Sequence, residues 1–384
     1  MEGLLKSVRE EAWDGLIPAE FSMDSAEVTA LQRPLPLYLL LPRMGFLPCV
    51  AETVSHHFGE AAPEAQRTLW LEEASSGEPL RWHIPTGVLF DLLAGIKDKR
   101  DRGAMVAGDE SRGDTTEQAK TRPHSVLPWR ITVHFQGCPR RQVFPLEKEV
   151  DIRRHYTNAL KQALYLQLGS SRAGMSLAKD KQTRLWQAVK TNDAKVFHEI
   201  DVFLAGDGAL RLVPVRLLRG SNPPAQLPIP TERPSGGPFT LRDCLCWLCP
   251  DLPWESAFDR QGSGDAARGN TIDDRKKSLP QEAAPALDKD RWLHEAKGAG
   301  FASAERGFEE GTESSQAAPN IDDAVRVPAG PSVGVEGPPG TEAPVPMPRI
   351  LVQGTEPPLD ASVAQLWTSL RHPDHFLYVV LRKP

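Results

Sequence analysis

Apolar positions along this chain follow a strand-like spacing first, then a helical one, then a strand-like one again. Val8 to Trp13 reads as a short helix leading into GLIPAEFSMD, a first strand, and PLYLLLPR reads as a second, closed by Pro42. FLPCVAETVSHHF places Leu47, Val50, Val54 and Phe58 on one stripe, the interval of an amphipathic helix. TLWLEE and EPLRWHI read as strands separated by the turn-forming ASSG. Trp82 to Phe135 then reads as a strand ending, a proline-led amphipathic helix and a returning strand. Thr86, Val88, Leu89, Leu92 and Leu93 can share a helical face, while Ile131, Val133 and Phe135 alternate as in a half-buried strand. Two strands, a helix and further strands predict a small mixed sheet covered on one face, an α+β roll. Between Ile96 and Val126 the chain is nearly all charge, glycine and small polar residues, with no aromatic and no period, which predicts a disordered insertion.

From about Leu146 to Ala205 the period is helical. Tyr156, Ala159, Ala163 and Leu166 fall on successive turns, and Leu185, Val189, Val196, Ile200 and Phe203 keep helical spacing across an expected break at Thr191-Asn192-Asp193. A second strand-led unit begins at ALRLVPVRLL, where Leu210, Leu212, Val215 and Leu217 supply the apolar content. AQLPIPTE follows as a short strand and FTLRDCLCWLCP as a helix, with Thr240 as its N-cap and Pro250 as its stop. From Glu255 to Pro348 the residues are mainly Gly, Ala, Pro, Ser, Asp and Glu, which cannot build a core. Order is expected to resume at RILVQG (strand), LDASVAQLWTSL (a helix capped by Asp360) and FLYVVLRK (final strand). That order repeats the first unit. The predicted fold class is therefore α+β: two small rolls flanking a helical module.

Bulk composition changes this picture only at the margins. At 384 residues the chain has room for two or three domains. Hydrophobic residues at 40% suffice for packed cores, while 35 prolines, 30 glycines and a mean hydropathy of -0.38 mean that part of the chain does not pack. A net charge of -6 without a dense basic stripe argues against a nucleic-acid binder. Five cysteines, odd in number and unevenly spread, suit reduced thiols better than a disulfide framework. MEGLLKSVREEAWDG is acidic and lacks a long apolar core, so no secretory signal is expected, and PLPLYLLLPRMGFLP is too short and proline-broken to span a bilayer.

Few residues carry candidate chemistry. Cys244, Cys246 and Cys249 sit at CxCxxC spacing on one predicted helix; a zinc site needs a fourth ligand, and a thiol nucleophile needs a base or cation beyond Arg242 and Asp243. Small apolar side chains on a helix face explain the three cysteines better, and a thiol or zinc enzyme is the alternative. His56, His57 and Glu60 lack HExxH spacing and read as a solvated helix end. GSGDAARG, 262–269, lacks the strand, Lys-Ser/Thr ending and apolar helix of a phosphate loop. Trp13, Trp70, Trp82, Trp129, Trp186, Trp247 and Trp367 read as core, with Trp186 open to an interface role. Nine lysines and arginines against five acids from Asp151 to Ala205 make the helical module's solvated face basic, which raises contact with anionic lipid as a further reading.

EAWDGLIPAEF, PLYLLLPR, LRWHIPTGVLFDLLA, LPWRITVHF, TLRDCL and DHFLYVVL together resemble, in that order, the autophagy protein 5 family. The resemblance covers the ordered parts nearly end to end and leaves 96–126 and 255–348 as insertions. It implies two ubiquitin-like (β-grasp) domains flanking a helix-rich domain: an N-terminal helix at 1–14, a first domain at 15–145, helices at 146–206 and a second domain at 207–384. It also implies a scaffold with no active site, cofactor or small-molecule substrate of its own. Such a scaffold accepts the ubiquitin-like autophagy protein 12 through an isopeptide bond to one lysine, or holds it without a covalent bond. It binds the N-terminal helix of autophagy protein 16, as an amphipathic helix docks in a groove. The assembly acts like a ligase, working with the autophagy protein 8 conjugating enzyme to place autophagy protein 8 on phosphatidylethanolamine. The implied location is cytoplasmic, with peripheral recruitment to the phagophore assembly site membrane. The family's acceptor lysine lies in a motif like I..HF...MKEA. IRRHYTNALKQA, from Ile152 to Ala163, lays Lys161 on it, with Gln162 where the family has glutamate.

Overall fold

Strand β1 (Leu16–Met23) buries Ile17, Ala19, Phe21 and Met23, the alternate positions that a strand turns toward one face. A computed structural model describes residues 2–63, 68–93, 127–143, 149–204, 208–252, 254 and 347–382. The insertions expected at 96–126 and 255–348, apart from 347–348, and the glycine-rich 262–269 lie outside the described residues. Helix α1 (Glu2–Asp14) leads into β1, which pairs antiparallel with β2 (Leu37–Pro42) from Leu16 opposite Pro42 to Phe21 opposite Leu37. A 3-10 turn (Leu47–Val50) runs into α2 (Ala51–Phe58), whose Val54 and Phe58 enter the core. Strands β3 (Trp70–Glu73) and β4 (Glu78–Pro79), helix α3 (Thr86–Leu93) and strand β5 (Trp129–His134) complete the unit. The sheet order is β2-β1-β5-β3-β4, with the first and last strands adjacent and parallel. That is the β-grasp arrangement.

Two expectations fail here. EPLRWHI is strand only at Glu78–Pro79; Leu80 still donates to the Leu71 carbonyl, but Trp82 and His83 lie in a turn as the chain redirects into α3. Helix α3 is not amphipathic either, because every residue from Thr86 to Leu92 is buried. It packs against the last strand of the second sheet as well as its own core. Asp91 on this buried helix pairs with Arg43 at 2.5 Å. Gly87 comes so close to Arg43 that an added Cβ would lie 2.9 Å from its Cβ and carbonyl oxygen.

The helical stretch comprises α4 (Glu149–Leu168), the single-turn α5 (Arg172–Met175), α6 (Lys179–Thr191) and α7 (Ala194–Asp201). The break falls where it was expected. Asn192 adopts a left-handed φ of 56° to close α6, and Asp193 caps α7 by accepting from the Val196 amide at 3.0 Å. Phe203 departs from the predicted stripe: α7 ends at Asp201, so Phe203 is 53% exposed, with the Lys181 ammonium 3.4 Å from its ring centre. No helix among the described residues is long and apolar enough to cross a membrane.

The second sheet repeats the first's order: β6 (Leu212–Arg219), β7 (Ala225–Pro230), α8 (Leu241–Leu248), β8 (Arg349–Leu351), α9 (Val363–Leu370) and β9 (Leu377–Arg382). Its order is β7-β6-β9-β8, again with first and last strands parallel. Thr240 caps α8, as the sequence predicts, and Asp243 bonds back to it to complete a reciprocal capping box. Asp360 does not cap α9; the N-cap is Ser362. The carbonyls of Leu359 and Ala361 accept from Arg242 and Leu241 at the start of α8, so this stretch is held extended and the helix begins later.

One apolar core runs through both sheets, from Phe21, Leu89 and Val133 to Leu218, Phe376 and Val380. A second gathers Trp13, Trp82, Tyr156, Trp186 and Phe197 beneath the helices. All seven tryptophans singled out from the sequence are buried, Trp186 included. Asp201, at the end of α7, ties the helices to the second sheet by accepting from Arg371 at 2.6 Å and His375 at 2.7 Å.

Candidate functional site

Helix α4 presents two very different faces. Ile152, Tyr156, Ala159, Leu160, Ala163 and Leu164 are buried, and the Tyr156 hydroxyl donates to the Pro373 carbonyl at 3.2 Å. At helical spacing, Arg154, Asn158, Lys161, Tyr165 and Leu168 form the opposing stripe. Lys161 is half-buried there, while Arg154, Asn158 and Leu168 are exposed. His155, six residues earlier, turns off this stripe and lies beside His83, ring centres 5.1 Å apart. Burial, then His155, Arg81 and Arg216, pushes His83 down to about 4; burial and Arg216 also lower His155. Both imidazoles are therefore neutral at ordinary pH.

Arg216 on β6 fixes this helix to the second sheet. It donates to Gln162 Oε1 at 2.8 Å, to Gln226 Oε1 at 2.8 Å and to the Tyr378 hydroxyl at 3.1 Å, and its guanidinium lies 3.6 Å from the Phe376 ring centre. Gln162 thus meets a cation with a neutral acceptor where the resembled motif carries glutamate. The Tyr378 hydroxyl in turn donates to Asp374 at 2.7 Å, and burial raises that carboxyl despite Arg216 nearby. The outcome is an amine on a helix whose next residue is bonded to a partner 54 positions away in sequence.

The cysteine cluster does not assemble as a site. Cys244 and Cys249 are buried and Cys246 is exposed, since positions two apart on a helix point to opposite sides. Burial pushes the Cys244 thiol far up, with Asp243 adding to it, and burial also raises Cys249, so thiolate is disfavoured at both. His57 is taken up by a 2.9 Å contact from Nε2 to the Leu35 carbonyl. Among the described residues, the side chains that converge with metal-ligand spacing are Asp24, Glu27 and His134. The sequence reading missed these, and it missed Arg216, His83 and Asp201. Their partners lie up to 174 residues away, and no local period reports such a distance.

Two β-grasp sheets with a helical bundle between them in the chain define a tandem ubiquitin-like protein. The family description "Autophagy protein ATG5, UblA domain" matches residues 12–135, the alpha-helical bundle region matches 149–204 and the UblB domain matches 212–381. Autophagy protein 5 of Aspergillus clavatus is 30% identical over 265 residues, covering 67% of this chain and 76% of that protein. Autophagy protein 5 of Arabidopsis thaliana is 27% identical over 194 residues, covering 50% of this chain and 49% of that protein. The crystal structure of Kluyveromyces marxianus Atg5 shares the fold with a TM-score of 0.57 at 15% identity, covering 98% of this chain and 99% of that one. The chain belongs to the autophagy protein 5 family.

Proposed function

We propose that this chain is a non-catalytic conjugation scaffold in autophagy and that Lys161 accepts the C-terminal carboxyl group of the ubiquitin-like autophagy protein 12. The deprotonated Nζ attacks a thioester carbonyl carried by a conjugating enzyme. The new bond is the isopeptide C–N bond, the C–S bond breaks, and the enzyme leaves as its thiol with the proton. The same body holds the N-terminal helix of autophagy protein 16. The assembly promotes transfer of autophagy protein 8 to phosphatidylethanolamine, working from the cytoplasm at the phagophore assembly site membrane. The units serving this role are 15–145, 146–206 and 207–384.

The observation that carries the reading is the setting of Lys161: an amine on the outward stripe of a 20-residue helix whose other face is buried. A rigid mount lowers the entropy cost of presenting a nucleophile to a large partner. Lys161→Arg should abolish a slower-migrating adduct with autophagy protein 12 on a denaturing gel, with the fold unchanged by circular dichroism. An adduct that persists overturns the assignment of Lys161. Co-purification of autophagy protein 12 with no adduct in the unsubstituted chain replaces the covalent scaffold with a non-covalent one.

A further inference from the structure

Beyond that role, the first sheet carries an unassigned constellation where the turn after β1 meets the end of β5. We propose that Asp24, Glu27 and His134 bind one zinc ion. Their ligand atoms all lie within 4.8 Å of one another. His134 Nδ1 is 3.0 Å from Glu27 Oε1 and 3.4 Å from Asp24 Oδ2. Two donors at zinc-bond length in a tetrahedral shell stand about 3.4 Å apart, so little movement is needed to admit the ion.

Both carboxylates are held with one oxygen engaged elsewhere and the other directed at the ring. Glu27 Oε2 accepts from the amides of Phe135 at 2.6 Å and Gln136 at 3.2 Å, which leaves Oε1 for Nδ1. Asp24 Oδ1 accepts from the Ala26 amide at 2.9 Å, which leaves Oδ2. The ring itself is fixed: His134 is 7% exposed and stacks on Trp70 with centres 4.0 Å apart and planes 10° apart. Trp70 is anchored by its own indole N–H on the Gln136 carbonyl at 2.6 Å.

The second nitrogen supplies the independent argument. His134 Nε2 is buried without a hydrogen-bond partner, and Glu72 Oε2 stands 3.8 Å from it. A carboxylate beside Nε2 is placed to accept that nitrogen's proton, which leaves Nδ1, the nitrogen facing Asp24 and Glu27, as the atom that can offer a lone pair to a cation. A cation on Nδ1 with the Nε2 proton toward Glu72 satisfies both ends, as in carboxylate–histidine–metal arrangements. Mixed carboxylate and imidazole donors suit zinc, and the partly exposed Asp24 leaves an entry path and room for a water ligand. The ion would staple two adjacent parallel strands, since Met23 lies opposite Val133.

The test is a titration of chelator-treated full-length protein with Co²⁺ at pH 7.5, followed by displacement with Zn²⁺. Asp24→Asn, which keeps the bond to the Ala26 amide, and His134→Gln serve as variants, with circular dichroism to establish that each folds. One equivalent of Co²⁺ should bind with a visible spectrum that lacks thiolate charge transfer. Each variant should weaken it at least about tenfold. X-ray absorption on the zinc-loaded unsubstituted protein should show nitrogen and oxygen in the first shell without sulfur, a readout that stands even where a variant misfolds. Absence of saturable binding, binding unchanged in both variants, or a sulfur-containing shell would each overturn the proposal. In the first of these cases, His134 is a buried ring held between its carboxylate neighbours and nothing more.

Discussion

His372 should make the stability of this protein fall as the solution is acidified, and its share can be isolated. The residue is 2% exposed, and its Nε2 accepts from the Gln353 side chain at 2.8 Å. Burial, with Arg43 nearby, pushes it down from 6.5 to about 3. The folded form therefore takes up a proton later than the unfolded chain does as pH falls. Stability from this group is intact above about 6.5 and is lost progressively toward about 3. At pH 5 the unfolded state gains about 2 kcal/mol from protonating this histidine while the folded state gains almost nothing, at about 1.36 kcal/mol per pH unit below the unfolded pKa. For an ordered body of this size that is about 4–8 °C in Tm. His83, His155 and His198 are lowered by burial and act in the same direction, whereas Asp91 and Asp374, raised by burial, oppose them. The total slope is therefore a sum, and only a variant separates one residue's part. His372→Gln keeps an acceptor for Gln353 and cannot titrate. Urea unfolding followed by tryptophan fluorescence at pH 7.5 and pH 5 should show a loss about 2 kcal/mol smaller in the variant than in the unsubstituted chain. An identical pH dependence in the two proteins would refute the reasoning.

Two further substitutions probe how the parts are joined. Asp201→Ala leaves Arg371 and His375 buried without their carboxylate, and thermal unfolding should register a loss of about 3–5 kcal/mol; a cost below about 1 kcal/mol would mean that water reaches the pair. Gly87→Ala drives a methyl into the backbone of Arg43 and should cost about 1–3 kcal/mol in denaturant unfolding, whereas Gly208→Ala, with open space around it, should be close to neutral; equal effects would contradict the close approach.

Much of the architecture is legible before any coordinates. The alternation in β1 and β5, the helical period of α4, the break at Asn192 and the Thr240 cap all depend on residues within a few positions of one another. Local periodicity and capping chemistry are written into short windows, so the chain alone determines two strand-led rolls around a helical module, whereas Lys161 stands out only through the resemblance of IRRHYTNALKQA to the family motif. Other features depend on which surfaces meet. α3 reads as amphipathic and is buried throughout because the second sheet covers what would have been its wet side. Asp360 has the chemistry of a cap, but its neighbours are drawn into bonds with the start of α8, and the helix begins at Ser362 instead. Phe203 keeps the spacing of a core stripe and lies outside because the helix ends before it. The setting of Gln162 on Arg216, the neutral histidine pair, and the approach of His134 to Asp24 and Glu27 join residues 54 to 110 positions apart. A side chain's spacing says which way it faces on its own element; burial, charge and partnership are properties of the packed whole, and only the tertiary structure decides them.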